Sequence, residues 1–239
     1  MLELLKELCQ LPGVSSFEEP VRAYIRAKAE PYADRIHTDA LGNLLVFKKG
    51  AKPTGNRLLL AAHMDEVGLI VRSITDEGYL KFSPVGGIDR RVLIGKRVKV
   101  GEKGLSGVIG LKAYHLVSDE EEKVVPKPED FYIDIGAKDK EAAAALVHLG
   151  DCAVFDSDVV EFGSGFLKAK ALDDRIGCAV MLELLKEDLP MDVTFAFTVQ
   201  EEVGTRGAFG AAFSVEPEVA LVLETTTAAD LAGEPEHKK

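Results

Sequence analysis

Four stretches of this chain end an apolar run in side chains able to bind a cation or move a proton. Leu58-Leu59-Leu60-Ala61-Ala62 runs straight into His63-Met64-Asp65, and Phe166–Ala171 leads into Asp173-Asp174. Val193–Val199 is followed, after Gln200, by Glu201-Glu202, and Val219–Leu223 by Glu224. Short apolar runs of this kind read as buried strands. Open α/β sheets bind ligands just beyond the carboxyl ends of their strands. Four such strands bring one imidazole and several carboxylates to a single edge. Carboxylates packed so closely raise one another's pKa or take up cations. A divalent metal ion satisfies them most simply.

Taken singly, each residue has a plainer reading. A lone histidine after a strand is commonly a surface or core residue. The His-x-Asp spacing adds a carboxylate, Asp65, that can accept the second ring N–H of His63 and fix its tautomer. Asp173 and Asp174 precede a helix and either can cap it, which leaves the other for a metal. Glu224 by itself is an ordinary strand-end charge. Glu201 and Glu202 sit between an apolar strand and Val203-Gly204, a poor place for a solvated loop. Neighbouring side chains in extended backbone point to opposite sides, so this pair is expected to divide into one ligand and one general base. A bridging carboxylate such as Asp173, between metals ~3.5–4 Å apart, would make a two-metal hydrolytic site.

The elements that must position these groups follow from periodicity. Leu2, Leu5 and Cys9 share a helical stripe over 2–10. Ser16 with Glu19 reads as a capping box, with Pro20 in the first turn of a helix reaching about Ala29. Arg35–Thr38 and Asn43–Lys48 read as strands around a turn at 39–42. From Gly68 to about Gly163 short strands alternate with turns, interrupted by one helical stretch, Lys138–Leu149, as in a small β-barrel. A strand at Phe166–Ala171 and an amphipathic helix at Arg175–Lys186 then restore the α/β texture. The expected fold is α/β, a mixed sheet flanked by helices. Residues 1–67 and 163–239 form the catalytic domain, and a β-rich domain is inserted over 68–162.

Composition narrows the function. With 40 acidic against 29 basic residues the net charge is −11, which repels nucleic acid and anionic membrane and favours cations. The first ten residues lack a basic n-region, so no signal peptide is expected. No apolar run approaches the ~20 residues of a membrane span. Three widely spaced cysteines, Cys9, Cys152 and Cys178, suit small buried hydrophobes in a reducing cytoplasm rather than a disulfide framework. There is no GxSxG nucleophile, dinucleotide or P-loop signature.

At AAHMDEVGLIV (61–71), YIDIGA (132–137), KALDDRIG (170–177), VQEEVGTRGA (199–208) and LVLETTTAADLAG (221–233) the sequence resembles a group of di-metal aminopeptidases that assemble into hollow tetrahedral particles. These are metallopeptidase family M forty-two, which includes glutamyl and deblocking aminopeptidases. The likeness runs over essentially the whole chain. It implies a zinc-exopeptidase-like fold, shortened at its C-terminal end, and two divalent ions, zinc or cobalt. It implies His63 on the first metal, Asp173 bridging both, Glu202 on the second, and Glu224 completing the first site where other members carry aspartate. Glu201 would be the general base, and Asp65 would orient His63. The substrates implied are short peptides cleaved at the N-terminal residue. The inserted domain would drive homo-oligomerisation, by resemblance to a dodecamer.

Family members also carry a final histidine ligand to the second metal near their C-terminus, in sequence that continues beyond this point. His237 reads as a tail residue rather than that ligand. An inactive or metal-binding assembly homologue is accordingly one alternative. A glycosidase is the other, since paired carboxylates also cleave sugars. Such carboxylates must flank the bond, ~5–9.5 Å apart, which adjacent glutamates pointing apart do not offer. The absence of Trp also leaves little for a sugar platform.

Overall fold

The computed structural model describes residues 1–52, 57–228 and 233. The first two apolar stripes fold as helices α1 (Leu2–Gln10) and α2 (Glu19–Ala29). Strands β1 (Arg35–Thr38), β2 (Leu44–Lys48) and β3 (Leu58–His63) follow. The chain then winds a closed barrel from β4 (Gly68–Ile74), β5 (Leu80–Val85), β6 (Arg97–Val100), β7 (Leu105–Gly110), β8 (Tyr132–Asp134) and β9 (Cys152–Phe155). All its strand pairs are antiparallel. A short helix, α3 (Lys140–Ala144), precedes β9. The hairpin β10 (Val160–Phe162) and β11 (Phe166–Lys168) leads back to α4 (Leu172–Leu184), β12 (Val193–Thr198), α5 (Arg206–Val215) and β13 (Val219–Val222).

The larger sheet has the order β1-β2-β12-β3-β13. β12 and β13 both run parallel to β3, while β1 and β2 are antiparallel additions on the β12 side. Alternation along the strands decides which face each residue serves. Leu44, Val46, Leu60, Ala62, Phe195 and Phe197 meet α1, α2 and α4 in the main core. Leu45, Leu59, Ala61 and Ala196 point the other way, where Ala211 of α5 packs on them. The barrel has its own apolar interior, built around Leu69, Phe82, Val98, Ile109, Phe131 and Ile133. Among the described helices, none is long and apolar enough to cross a membrane.

Four local expectations are revised. The run at Phe166–Ala171 yields only the three-residue β11, which pairs in an exposed hairpin and not in the sheet. β13 joins the sheet as an edge strand, with Val219, Leu221 and Val222 exposed rather than buried. The helix over Lys138–Leu149 shrinks to α3, which starts at the Asp139 cap and closes in a turn where the Leu146 and Val147 N–H groups both donate to Ala143 O. The capping box at α2 is not formed by Ser16 and Glu19. Instead the buried Glu18 accepts a hydrogen bond from the Ser16 N–H at 2.7 Å.

Candidate metal centre

Three parallel strands of the sheet end side by side. His63 closes β3 opposite Thr198 at the end of β12, and Val222 of β13 lies opposite Ala61. The pairing runs one step further, with Met64 N–H donating to Thr198 O and Leu223 N–H to Ala61 O. The chain therefore leaves the sheet within a few residues of His63, Glu201 and Glu224. Because β12 and β13 flank β3 on opposite sides, this edge is the switch point where such sheets take ligands.

Asp173 arrives from the start of α4, not from a strand. Asp173 and Asp174 have non-helical backbones joined by a cis peptide, and the regular helix begins at Arg175. Asp174 does the capping. Its Oδ1 accepts from Gly177 N–H at 3.1 Å and its Oδ2 from His63 N–H at 3.3 Å. Asp173 is left free, with Oδ1 2.9 Å from His63 Nε2. Glu224 Oε1 lies 3.8 Å from the same nitrogen. One ligand atom each from His63, Asp173 and Glu224 falls within 4.8 Å of the others, the only such trio among the described residues.

The rest of the site is built from backbone donors. His63 Nδ1 lies 3.0 Å from the Asp65 carbonyl and 3.4 Å from its carboxylate. An N–H donated there leaves the Nε2 lone pair facing Asp173 and Glu224, the tautomer a metal ligand needs. The Asp65 carboxylate is otherwise engaged. It accepts from Ser15 Oγ–H at 2.6 Å, Glu201 N–H at 3.0 Å and Glu202 N–H at 3.1 Å. Asp65 is fully buried and clamps the loop that carries both glutamates. The Glu202 carboxylate stands outside the trio. Its Cβ lies against the turn after β5, where Gly86 has φ 84° and an added Cβ would come within 3.2 Å.

The electrostatics describe a carboxylate cluster short of positive charge. Burial alone would lower the His63 imidazole, but the carboxylates of Asp65, Asp173 and Glu224 outweigh it and push its pKa up to about 10. Burial, reinforced by Asp173, Asp65 and Glu201 against the opposing His63, raises Glu202 to about 7. Asp174 also rises to about 7, chiefly through burial. Glu224 is raised by burial as well. For Asp65 burial is overcome by its donors, and its carboxyl lies below the usual range. A divalent cation held by these groups would reverse this balance, favouring a neutral imidazole and charged carboxylates. One imidazole nitrogen with carboxylate oxygens is a donor set that fits such an ion.

Several residues behind the site were not singled out from the sequence. Arg175, wholly buried, donates from Nε to Met64 O and from Nη1 to Leu8 O. Lys170 Nζ sits 2.6 Å from the buried Glu66. Ser15 and Glu18 reach the loops from the N-terminal segment. The only available signal was position, since Lys170 and Arg175 bracket Asp173 and Glu66 follows Asp65. A cleft of about 600 Å³ lined by Arg35, His37, Phe47, Arg57 and Thr194 lies elsewhere, and none of the residues above lines it.

An α/β sheet whose switch-point edge gathers one imidazole and two carboxylates is an arrangement that metallopeptidases use. The chain belongs to the M42 glutamyl aminopeptidase family, whose sequence model matches residues 42–239. A TET aminopeptidase from a marine-sediment Thaumarchaeota archaeon superimposes with a TM-score of 0.93 at 41% identity, over 99% of this chain and 68% of its own. The lysyl aminopeptidase of Pyrococcus furiosus is 32% identical over 95% of this chain and 66% of its own length. A Thermotoga maritima structure named as an endoglucanase is 39% identical with a TM-score of 0.82, over 98% of this chain and 69% of its own. The chain thus spans about two thirds of the length of these relatives.

Proposed function

We propose that this chain carries the catalytic centre of a metal-dependent aminopeptidase that removes N-terminal residues from short peptides. The convergence of His63, Asp173 and Glu224 at the switch-point edge, beside a clamped Glu201-Glu202 loop, supports that reading most directly. His63 and Glu224 would hold one ion, Glu202 a second, and Asp173 both. Two such ions, zinc or cobalt, would polarise the scissile carbonyl and bring the pKa of an attacking water toward neutrality.

The chain's own residues do the rest. Glu201 takes the proton of the attacking water and returns it to the departing amine, acting as base and then acid. Asp65 fixes Glu201 by its backbone N–H while setting the His63 tautomer, so base and ligand are registered by one buried carboxylate. The free α-amino group of the peptide, held against the second ion or a nearby carboxylate, would account for exopeptidase action. The family description names glutamyl and the P. furiosus relative lysyl cleavage.

Residues 68–162 are read as the oligomerisation domain of a homo-oligomer, a dodecamer by analogy with the tetrahedral relatives. Three cysteines without a disulfide fit a cytoplasmic setting. The test is Glu201→Gln, assayed with a peptide anilide and with a cellulose derivative. Unchanged metal content with lost anilide turnover is the expected outcome. Full anilide turnover in the variant removes Glu201 from the mechanism. Turnover of the cellulose derivative alone by the unaltered protein moves the reading to glycoside cleavage, the activity named for the T. maritima structure.

A further inference from the structure

The loop that carries Glu201 and Glu202 begins with Gln200 at φ 55°, a left-handed backbone that a non-glycine residue adopts at a cost. Asp65 holds the two residues that follow Gln200 through their N–H groups, at 3.0 and 3.1 Å. The Gln200 carbonyl accepts from Arg206 N–H at 3.1 Å, within the same turn. Its N–H faces the other way and donates to Glu18 Oε1 at 3.2 Å. Ser16 also has a left-handed backbone, at φ 75°, and its N–H donates to the same oxygen at 2.7 Å. Glu18 is 4% exposed, so water does not compete effectively for these bonds. A single buried carboxylate oxygen thus pins two strained turns from segments far apart in the chain.

Its neighbours repeat the theme. Ser15 Oγ–H donates to Asp65, Glu66 N–H donates to Gly13 O, and Gly13 N–H donates to Glu66 Oε1. Residues 13–18 therefore form a strap across both the loop after β3 and the loop after β12. This strap lies before residue 42, where the match to the family's sequence model begins.

We propose that Glu18 is a positioning residue for the general base: its Oε1 holds the left-handed turn at Gln200 that aims Glu201 into the metal centre. The proposal rests on the aminopeptidase reading for its catalytic consequence but not for its structural one. It differs from a general stabilising role in two ways. Glutamine keeps an oxygen at Oε1 and can accept both bonds, whereas alanine cannot. Glycine at 200 adopts the left-handed turn without help.

The experiment compares Glu18→Ala, Glu18→Gln and the double variant Glu18→Ala/Gln200→Gly in the full chain loaded with zinc or cobalt. Three quantities are read: steady-state hydrolysis of a peptide anilide, zinc affinity, and amide exchange of Gln200. The account expects Glu18→Ala to lower kcat by about 10–100-fold, as small misplacements of catalytic groups do. KM should stay within about two-fold, and zinc affinity should fall by much less than kcat, because Glu202 shares the loop but His63, Asp173 and Glu224 do not. Gln200 exchange should speed up in parallel. Glu18→Gln should behave like the unaltered protein, and Gln200→Gly should return much of the lost kcat.

Unchanged kcat and Gln200 exchange in a folded Glu18→Ala protein overturn the proposal. So does a loss that added zinc fully repairs, because the effect would then run through the ligands and not the base. If the unaltered protein cleaves no peptide, the aminopeptidase reading fails on its own. Gln200 exchange in Glu18→Ala and Glu18→Gln still decides whether Glu18 holds the turn. If Glu18→Ala does not fold, Glu18→Gln with slowed turnover and faster Gln200 exchange counts against the proposal.

Discussion

The barrel and the carboxyl edge of the sheet solve opposite problems with the same chain. The barrel interior, from Leu69 to Ala153, is built from aliphatic and aromatic side chains. Every buried polar or charged residue among the described residues lies outside it: Ser15, Glu18, Asn43, His63, Asp65, Glu66, Asp174, Arg175 and Thr198. Burying a charge is costly unless it is paired and hydrogen-bonded. The sheet edge meets that requirement with a network of backbone N–H donors, where the barrel has no such need. One region packs apolar side chains and the other holds buried charge, and of the two only the second has glutamate and aspartate pKa values near 7. That concentration of buried charge, more than any single side chain, marks the functional region.

Substitutions in the two regions should fail differently. Glu201→Gln should reduce turnover by about 100-fold or more, the usual scale of a lost general base. Its thermal midpoint should hardly move, and a large fall in stability there would blur the contrast. Phe131→Ala, in the barrel core at 1% exposure, should cost about 3–5 kcal/mol in denaturant unfolding. The folded fraction should keep its zinc affinity. Lost zinc affinity in that folded fraction would show that the barrel helps to shape the site.

Asp65→Ala removes the acceptor of three hydrogen bonds and the partner of His63. Zinc affinity, measured by competition with a chromogenic chelator, should drop by about 10–100-fold, as for other lost partners of metal ligands. An affinity unchanged by Asp65→Ala would mean that the carbonyl bond alone orients the ring. The smallest effect concerns the thiols. Burial pushes Cys9 up to about 11 and Cys152 up to about 12, and raises Cys178 well above the usual range. All three should resist a thiol reagent at pH 8 until the protein is unfolded, which a labelling time course reads directly. Rapid modification of the native protein would place a thiolate where none is expected.

How much could be read from the residues follows the same divide. The placement of His63, Glu201 and Glu224 at the sheet edge was legible because each follows an apolar run that really is a strand of the larger sheet. Asp173 was legible for a partly mistaken reason. Its apolar run forms an outlying hairpin, and the start of α4 brings the residue to the edge. The choice between Asp173 and Asp174 as helix cap could not be made from two adjacent aspartates. It depends on non-helical backbone angles that only the packed turn imposes. Glu18 was least legible, since its partner Gln200 lies 182 residues away and both turns it holds are left-handed. Periodicity reports which face a residue occupies, whereas a buried hydrogen bond between distant loops leaves no local trace.

The central claim is that His63, Asp173 and Glu224 close around a divalent ion. Crystals grown with zinc and measured across its absorption edge test it most directly. The account predicts an anomalous peak within ligand distance, about 2.0–2.2 Å, of His63 Nε2 and of Asp173 and Glu224 oxygens, and no peak there in His63→Ala. A peak only elsewhere on the surface, or none in a chain saturated with zinc, would contradict it.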